Sequence, residues 1–179
     1  MTQGRAEPGS VILKTDRLVL RRWRGADADV QRRFWEARDP RVPPHRRIGS
    51  DGRPTLEDIQ DRIKRSDPDP TLGLLAVERR DFGTVIGYSG LIPNDHGQDD
   101  EPELAYEFLP AVWGQGYATE ASLAVISWAG ESGYRRLWAT VREWNTASRR
   151  VMVKLEFTMT ARVEPDDTYG NSLFYTKIL

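Results

Sequence analysis

Two glycines one residue apart, Gly114 and Gly116 in "WGQGYATEA" (113–121), stand just after a proline-containing turn and just before a run of helical character. Where a strand hands over to a helix, the first helical amides have no partner along the chain. They point outward with the positive end of the helix dipole behind them. Such a junction binds anions, and glycine lets the backbone approach a bulky diphosphate that a Cβ would hold off. A turn that merely tolerates glycine would use the same residues, so context has to decide. The Walker pattern is excluded because no Lys-Ser or Lys-Thr follows, and the dinucleotide fingerprint is broken by Thr119 where its third small residue belongs.

A second polar pair, Asn145 and Ser148 in "VREWNTASRRVMVKLEF" (141–157), sits where a strand ends and a helix opens. Asn145 suits an N-cap, accepting from the amide three residues on. If that strand lies parallel beside the one preceding the glycine loop, their C-terminal ends part near the loop. Ser148, in the first helical turn, then faces the gap, and a ligand held on the glycine loop could extend into it.

Composition narrows the chemistry. The chain has 179 residues, consistent with one domain, and a formal net charge of −1, which favours neither nucleic acid nor a membrane surface as partner. Without cysteine there are no disulfides, thiolate metal ligands or cysteine nucleophiles, and His45 and His96 alone could not build a histidine-rich metal site, so no metal is expected. Catalysis falls to carboxylates, hydroxyls or backbone. The N-terminus lacks the apolar core of a signal peptide, and no stretch approaches the roughly 18 apolar residues of a membrane span. A cytoplasmic location follows as the default, with residues 1–12 as a flexible tail.

The elements that must position these residues alternate in type. Residues 17–23 read as a strand, 26–39 as a helix, 41–54 as a loop broken by proline and glycine, and 55–67 as a helix behind a Thr55-x-x-Asp58 start. Strands at 72–80 and 84–92 form an antiparallel hairpin about Asp81-Phe82-Gly83. An acidic connector, 94–103, reads as a solvated loop or a weak attractor for a cationic amine. Beyond it come a strand at 103–109, a helix at 117–133 with Gly133 as its stop, a strand at 137–141, a helix at 146–155, and strands at 156–163 and 172–178. The expectation is a single α/β (α+β) domain over 1–179 with a mixed sheet of about seven strands and four helices.

"ELAYEFLPAVWGQGYATEA" followed by "NTASRRVMVKLEF" resembles the GNAT superfamily of acetyl-CoA-dependent N-acetyltransferases, in the branch similar to RimJ/RimL ribosomal-protein N-terminal acetyltransferases. "LKTDRLVLRRW" resembles that branch's opening strand and "SLFYTKIL" its closing one, so the likeness covers nearly the whole chain. The resemblance implies the GNAT fold, mostly antiparallel and splayed between strands four and five, and acetyl-CoA as cofactor. It places the diphosphate on the backbone amides of Gly114, Gln115, Gly116, Tyr117, Ala118 and Thr119, and counts Trp113, where the family pattern has Arg or Gln, in the cofactor site. Phe108 and Leu109 would bind the pantetheine arm, Asn145 would also touch it, and a backbone N–H near Leu109 would hold the developing oxyanion. The reaction implied is direct attack of a primary amine, on a protein N-terminus or a small molecule, with Glu103 as base and Glu107 or Tyr106 behind it.

Two departures from the family pattern stand out. Met152 occupies the position, seven residues after the asparagine, where many members carry the tyrosine that protonates the thiolate. Ser148 is the substitute, with Tyr106 next. Glu156 replaces the glycine that usually ends this helix, so a different helix end is expected. An acyl-CoA-binding module without turnover and a nucleotide-binding regulator are the alternatives. The acceptor has no readable signature, although residues 32–47 are expected to line its side, and a homodimer is left open.

Overall fold

The computed structural model describes residues 9–65, 73–94 and 96–179. One eight-stranded sheet runs in the order β1-β2-β3-β4-β5-β6-β8-β7. Its strands are β1 (Val11–Lys14), β2 (Leu18–Arg21), β3 (Gly73–Arg79), β4 (Val85–Ile92), β5 (Glu103–Phe108), β6 (Arg136–Arg142), β7 (Thr158–Glu164) and β8 (Ser172–Ile178). Every neighbouring pair is antiparallel except β5 and β6, which are parallel. The helices are α1 (Ala28–Ala37), α2 (Leu56–Arg65), α3 (Tyr117–Glu131) and α4 (Thr146–Lys154). The fold is the mixed, mostly antiparallel α/β arrangement expected, with one strand more. No described helix is long and apolar enough to cross a membrane.

The additional strand, β1, pairs with β2 at the sheet edge, so Val11 and Ile12 belong to the sheet and not to a tail. The remainder of the expected tail, residues 1–8, lies outside the described residues, as do 66 and 67 of the expected second helix, Leu72 of the expected second strand, and Asp95 of the acidic connector. The expected fourth and fifth strands are β5 and β6.

Alternation along each strand assigns the two faces. Leu104, Tyr106 and Phe108 of β5 and Leu137, Ala139 and Val141 of β6 turn to one side, where they pack with Tyr117, Ala121 and Val125 of α3 and with Met152 of α4. Burying one such aliphatic side chain is worth roughly 1.5–3 kcal/mol. Glu103, Ala105 and Glu107 turn to the opposite side, where the Phe34 ring of α1 meets the Tyr88 ring of β4 edge-on at 5.6 Å. On that same side Arg21, 2% exposed, joins β2 to the turn before α1 through Asp27 (2.7 Å) and to β3 through Glu78 (2.7 Å).

The end of α4 corrects one expectation. Glu156 takes the left-handed cap itself, at φ 59°. The Glu156 amide donates to the Val153 carbonyl and the Phe157 amide to the Met152 carbonyl, each at 3.0 Å, so the helix closes as a Schellman turn without glycine. Phe157 is buried in the core just beyond, and this anchor holds the strained residue in place.

Candidate active site

Gly114 and Gly116 have φ of 76° and 84°, in the left-handed region that glycine enters without steric cost. Gly116 is the N-cap of α3, and the first helical bond runs from the Glu120 amide to the Gly116 carbonyl at 3.0 Å. The amides of Tyr117, Ala118 and Thr119 precede that bond and have no helical acceptor. Arg17, from the β1–β2 turn, fixes the loop from behind. Its guanidinium donates to the Gln115 carbonyl at 3.1 Å and to the Glu120 carboxylate at 2.7 Å, and it lies 4.4 Å from the centre of the Tyr117 ring. Because a trans peptide points its C=O and N–H in opposite directions, turning the Gln115 carbonyl to Arg17 aims the Gly116 N–H away from it. Glu120 also accepts from the Thr15 hydroxyl at 2.6 Å. Burial alone would raise its carboxyl, and the bonds from Thr15 and Arg17 outweigh that and lower it. The Trp113 indole donates to the Phe108 carbonyl at 2.7 Å, tying the loop to the end of β5.

Side chains of the loop residues expected to bind are engaged within the protein, which leaves their backbone to face a ligand. The Tyr117 ring is buried and stacked under Arg17, and Gln115 bonds the Ala111 carbonyl. Phe108 and Leu109 are likewise buried, with the Phe108 ring so close over Gly87 that a Cβ there would come within 2.3 Å of it.

β5 and β6 pair at a single register position, Glu103 with Trp138, and then part. The next amide of β6 that faces β5, that of Thr140, donates to Glu103 Oε1 at 3.0 Å, and the Thr140 hydroxyl donates to Oε2 at 3.2 Å. Glu103 thus stands at the fork of the sheet and satisfies a donor that the parting strands would orphan. Burial pushes its carboxyl above the usual glutamate value, against the opposing pull of the Thr140 bonds and of nearby His96 and Arg46. One expectation moves by a residue: the Leu109 amide donates to the Ile86 carbonyl of β4 at 3.0 Å and is spent in the sheet. By alternation the amides of Tyr106 and Phe108 point into the gap.

Different groups stand on the two sides of the gap. On the α3/α4 side the Tyr106 hydroxyl donates to the Ser148 carbonyl at 3.4 Å, and burial pushes its pKa up to about 12. Asn145 caps α4, its side-chain oxygen accepting from the Ser148 amide at 3.0 Å. Met152, one turn further, is fully buried. The two hydroxyl candidates, Tyr106 and Ser148, are therefore neighbours, while the position of the missing tyrosine faces the core.

On the α1/α2 side Glu103 and Glu107 share a face of β5 with Ala105 between them. Glu107 is not free to serve as a base, because Arg38 donates to both its oxygens (2.9 and 2.6 Å) and the Tyr88 hydroxyl donates at 2.6 Å. His96, from the acidic connector, sets its ring edge-on to Phe174 at 4.8 Å, and Phe174 is the β8 partner of Thr140. That neighbour of Glu103 went unseen in the sequence, where the connector reads only as acidic. The segment after α1 crosses the gap on this side: Arg38 grips Glu107 of β5, and Arg41 stacks at 4.1 Å on Trp144, just after β6. Arg38 and Arg41, within the expected segment 32–47, therefore border the side of the gap on which Glu103 lies.

A backbone anion cradle at the start of α3, opening onto a fork between parallel strands, is a frame for a long ligand with a diphosphate at one end and its reactive end in the gap. Comparison with known proteins gives the family. The sequence profile described as an acetyltransferase (GNAT) domain matches residues 17–158. The chain is 30% identical over 155 residues to YoaA, an uncharacterized N-acetyltransferase of Bacillus subtilis, covering 82% of each. Its fold is similar to that of a GNAT-family acetyltransferase from Bacillus anthracis (TM-score 0.75, 20% identity, 93% and 97% of the two chains). It is also similar to that of Mycobacterium smegmatis RimJ solved with CoA-disulfide (TM-score 0.68, 20% identity, 90% and 81%). The chain belongs to the GNAT family of acetyltransferases, which use acetyl-CoA to acetylate amines.

Proposed function

We propose that the fork between β5 and β6 is the reaction centre, that a primary amine attacks from the α1/α2 side, and that Glu103 receives its proton. The observation that carries this reading is the division of groups across the gap: a half-buried carboxylate at the fork on one side, and on the other Tyr106, its hydroxyl on the Ser148 carbonyl in the first turn of α4. Acetyl-CoA supplies the thioester carbon and a thiol leaving group. The N–C bond forms as the C–S bond breaks, the amine proton passes to Glu103, and a proton from the Tyr106–Ser148 side goes to sulfur. The amides of Tyr106 and Phe108, facing the gap, are placed to take the charge that develops on the thioester oxygen.

A raised carboxyl pKa suits a base, since it narrows the difference from the amine. An α-amine near pKa ~8 is about one-tenth neutral at pH 7, whereas lysine near ~10.4 is neutral in only about one molecule in 2,500. The acceptor class we propose is therefore an α-amine or another amine of low basicity, on a protein N-terminus or a small molecule, met in the cytoplasm. Thiol release from acetyl-CoA across an amine panel tests the reading, together with melting in the presence of acetyl-CoA, NAD or ATP. Acetyl-CoA at 100 times its Kd stabilises by about 2.7 kcal/mol on this reading. Stabilisation without thiol release on any amine would instead favour a binding module.

A further inference from the structure

A hollow of about 770 Å³ lies between α1, the following loop and α2, lined among others by Trp35, His45, Arg47, Arg53, Arg62 and Arg65. Its volume suits a small molecule. It belongs to the α1/α2 side of the sheet and so is separate from the glycine loop at the start of α3.

The charges around the hollow are not balanced within the protein. The two acids of its wall are already engaged: Asp58 accepts from the Thr55 amide and hydroxyl (2.8 and 2.9 Å), and Asp51 accepts from the Arg53 amide at 3.0 Å. Arg53 reaches Asp58 only at 3.8 Å. Arg47 and Arg62 have no carboxylate within ion-pair distance among the described residues, and the Arg47 Nε is buried without a hydrogen-bond partner. A buried guanidinium N–H left unmade costs about as much as a lost charged hydrogen bond, and an oxyanion arriving with a ligand would supply the missing acceptor.

The hollow also adjoins the fork. Trp35 is flanked by Arg62 at 5.5 Å and by Arg38 at 4.6 Å, and Arg38 is the residue that holds Glu107 and the Arg46 carbonyl. The charge of Arg46, between the two wall residues His45 and Arg47, is felt at Glu103. An acceptor with its amine at Glu103 and an oxyanion among these arginines would lie along this bridge.

We infer that this hollow is the acceptor's specificity subsite, and that the preferred acceptor is a small amine carrying a carboxylate or phosphate group held by Arg47 and Arg62. The inference rests on the α1/α2 side being the acceptor side. Matched amines test it: a free amino acid against its carboxamide, and an aminoalkyl phosphate against the corresponding amino alcohol, with kcat/KM measured for each. The expected result is a preference of about 10- to 100-fold for the anionic member, the size of one or two charged hydrogen bonds. Whichever pair shows it identifies the oxyanion. Arg47→Met and Arg62→Met should each shrink that ratio about tenfold, and Arg47→Lys should restore part of it.

Equal rates on both members of each pair would overturn the inference while leaving the acetyltransferase reading intact. Should no amine turn over, titration with phenyl phosphate at saturating acetyl-CoA, which fills the diphosphate site, decides instead. Binding that both methionine variants weaken supports the subsite, and no binding, or binding indifferent to both, overturns it. Acetyl-CoA affinity, titrated separately, reports on the proposed function alone.

Discussion

Replacing Glu103 separates its structural task from the chemical one proposed for it. As a structural group its carboxylate takes the Thr140 amide (3.0 Å) and hydroxyl (3.2 Å) at the fork; on the proposed reading it also receives the amine proton. Glutamine keeps the first task, because its carbonyl oxygen still accepts from the Thr140 amide and its amino group can donate to the hydroxyl. Glu103→Gln should therefore stay within about 1 kcal/mol of the parent in stability and lose ~10²- to 10⁴-fold in turnover. Glu103→Ala loses both tasks. It leaves the Thr140 amide without a partner in a half-buried place, a cost of roughly 1–3 kcal/mol, or about 2–12 °C in Tm for a chain of this size.

The pH dependence gives an independent readout. Burial raises the Glu103 carboxyl in the folded state, so the folded protein holds that proton more tightly than the unfolded chain. The group's contribution to stability is full below the unfolded value, 4.5, and is lost as pH rises through the raised folded value. Glutamine does not titrate, so the stability of Glu103→Gln relative to the parent should increase across that window. Activity in the parent should rise through the same titration, and that limb should be absent from the variant's profile. Full turnover by Glu103→Gln on an acceptor that saturates the parent would refute the base role and leave Glu103 as a stitch in the sheet.

Three other substitutions probe the remaining parts. Gly116→Ala, at φ 84°, should cost roughly 1–2 kcal/mol of stability as well as weaken acetyl-CoA binding, so the loop is not an innocent place for a Cβ; unchanged affinity by titration would remove it from the site. Ser148→Ala and Tyr106→Phe test the proton donor: the true donor's loss should lower kcat about 10- to 100-fold with acetyl-CoA affinity nearly unchanged, and a parental kcat in both would place the donor in solvent. Glu156→Gly should raise stability by about 0.5–1 kcal/mol in chemical denaturation, since relief of the left-handed strain exceeds the added freedom of the unfolded chain and the exposed contact with Lys177 is worth little.

What the sequence made legible was local. Alternation, helical spacing and the glycine pair are written in consecutive residues, and they located seven strands, four helices, the loop and the Asn145 cap. β1 escaped because Val11–Lys14 is four residues long at a sheet edge, with its two ends exposed and no alternation to read. Glu156 misled because its strain is resolved by the burial of Phe157, a tertiary fact. The same holds in the site. Arg17 and Glu120 lie 103 residues apart, and Arg38 and Glu107 lie 69 apart, so no spacing announces either pair.

Register changed the chemistry most. A strand directs successive amides to opposite neighbours, and the single bond from the Leu109 amide to the Ile86 carbonyl fixes that phase for all of β5. With Leu109 turned to β4, the amides of Tyr106 and Phe108 must open to the gap, and the side chains of Glu103 and Tyr106 must stand on opposite faces of the sheet. On the proposed reading, the hydroxyl that the family pattern places on the helix after the fork therefore comes from the strand before it. Met152 fills the core below Ser148, and Tyr106 brings its oxygen to the same turn of α4 from the other wall of the gap. On the proposed reading, a base and an acid drawn from one strand, three residues apart and on opposite faces, keep the incoming proton and the outgoing one from sharing a path.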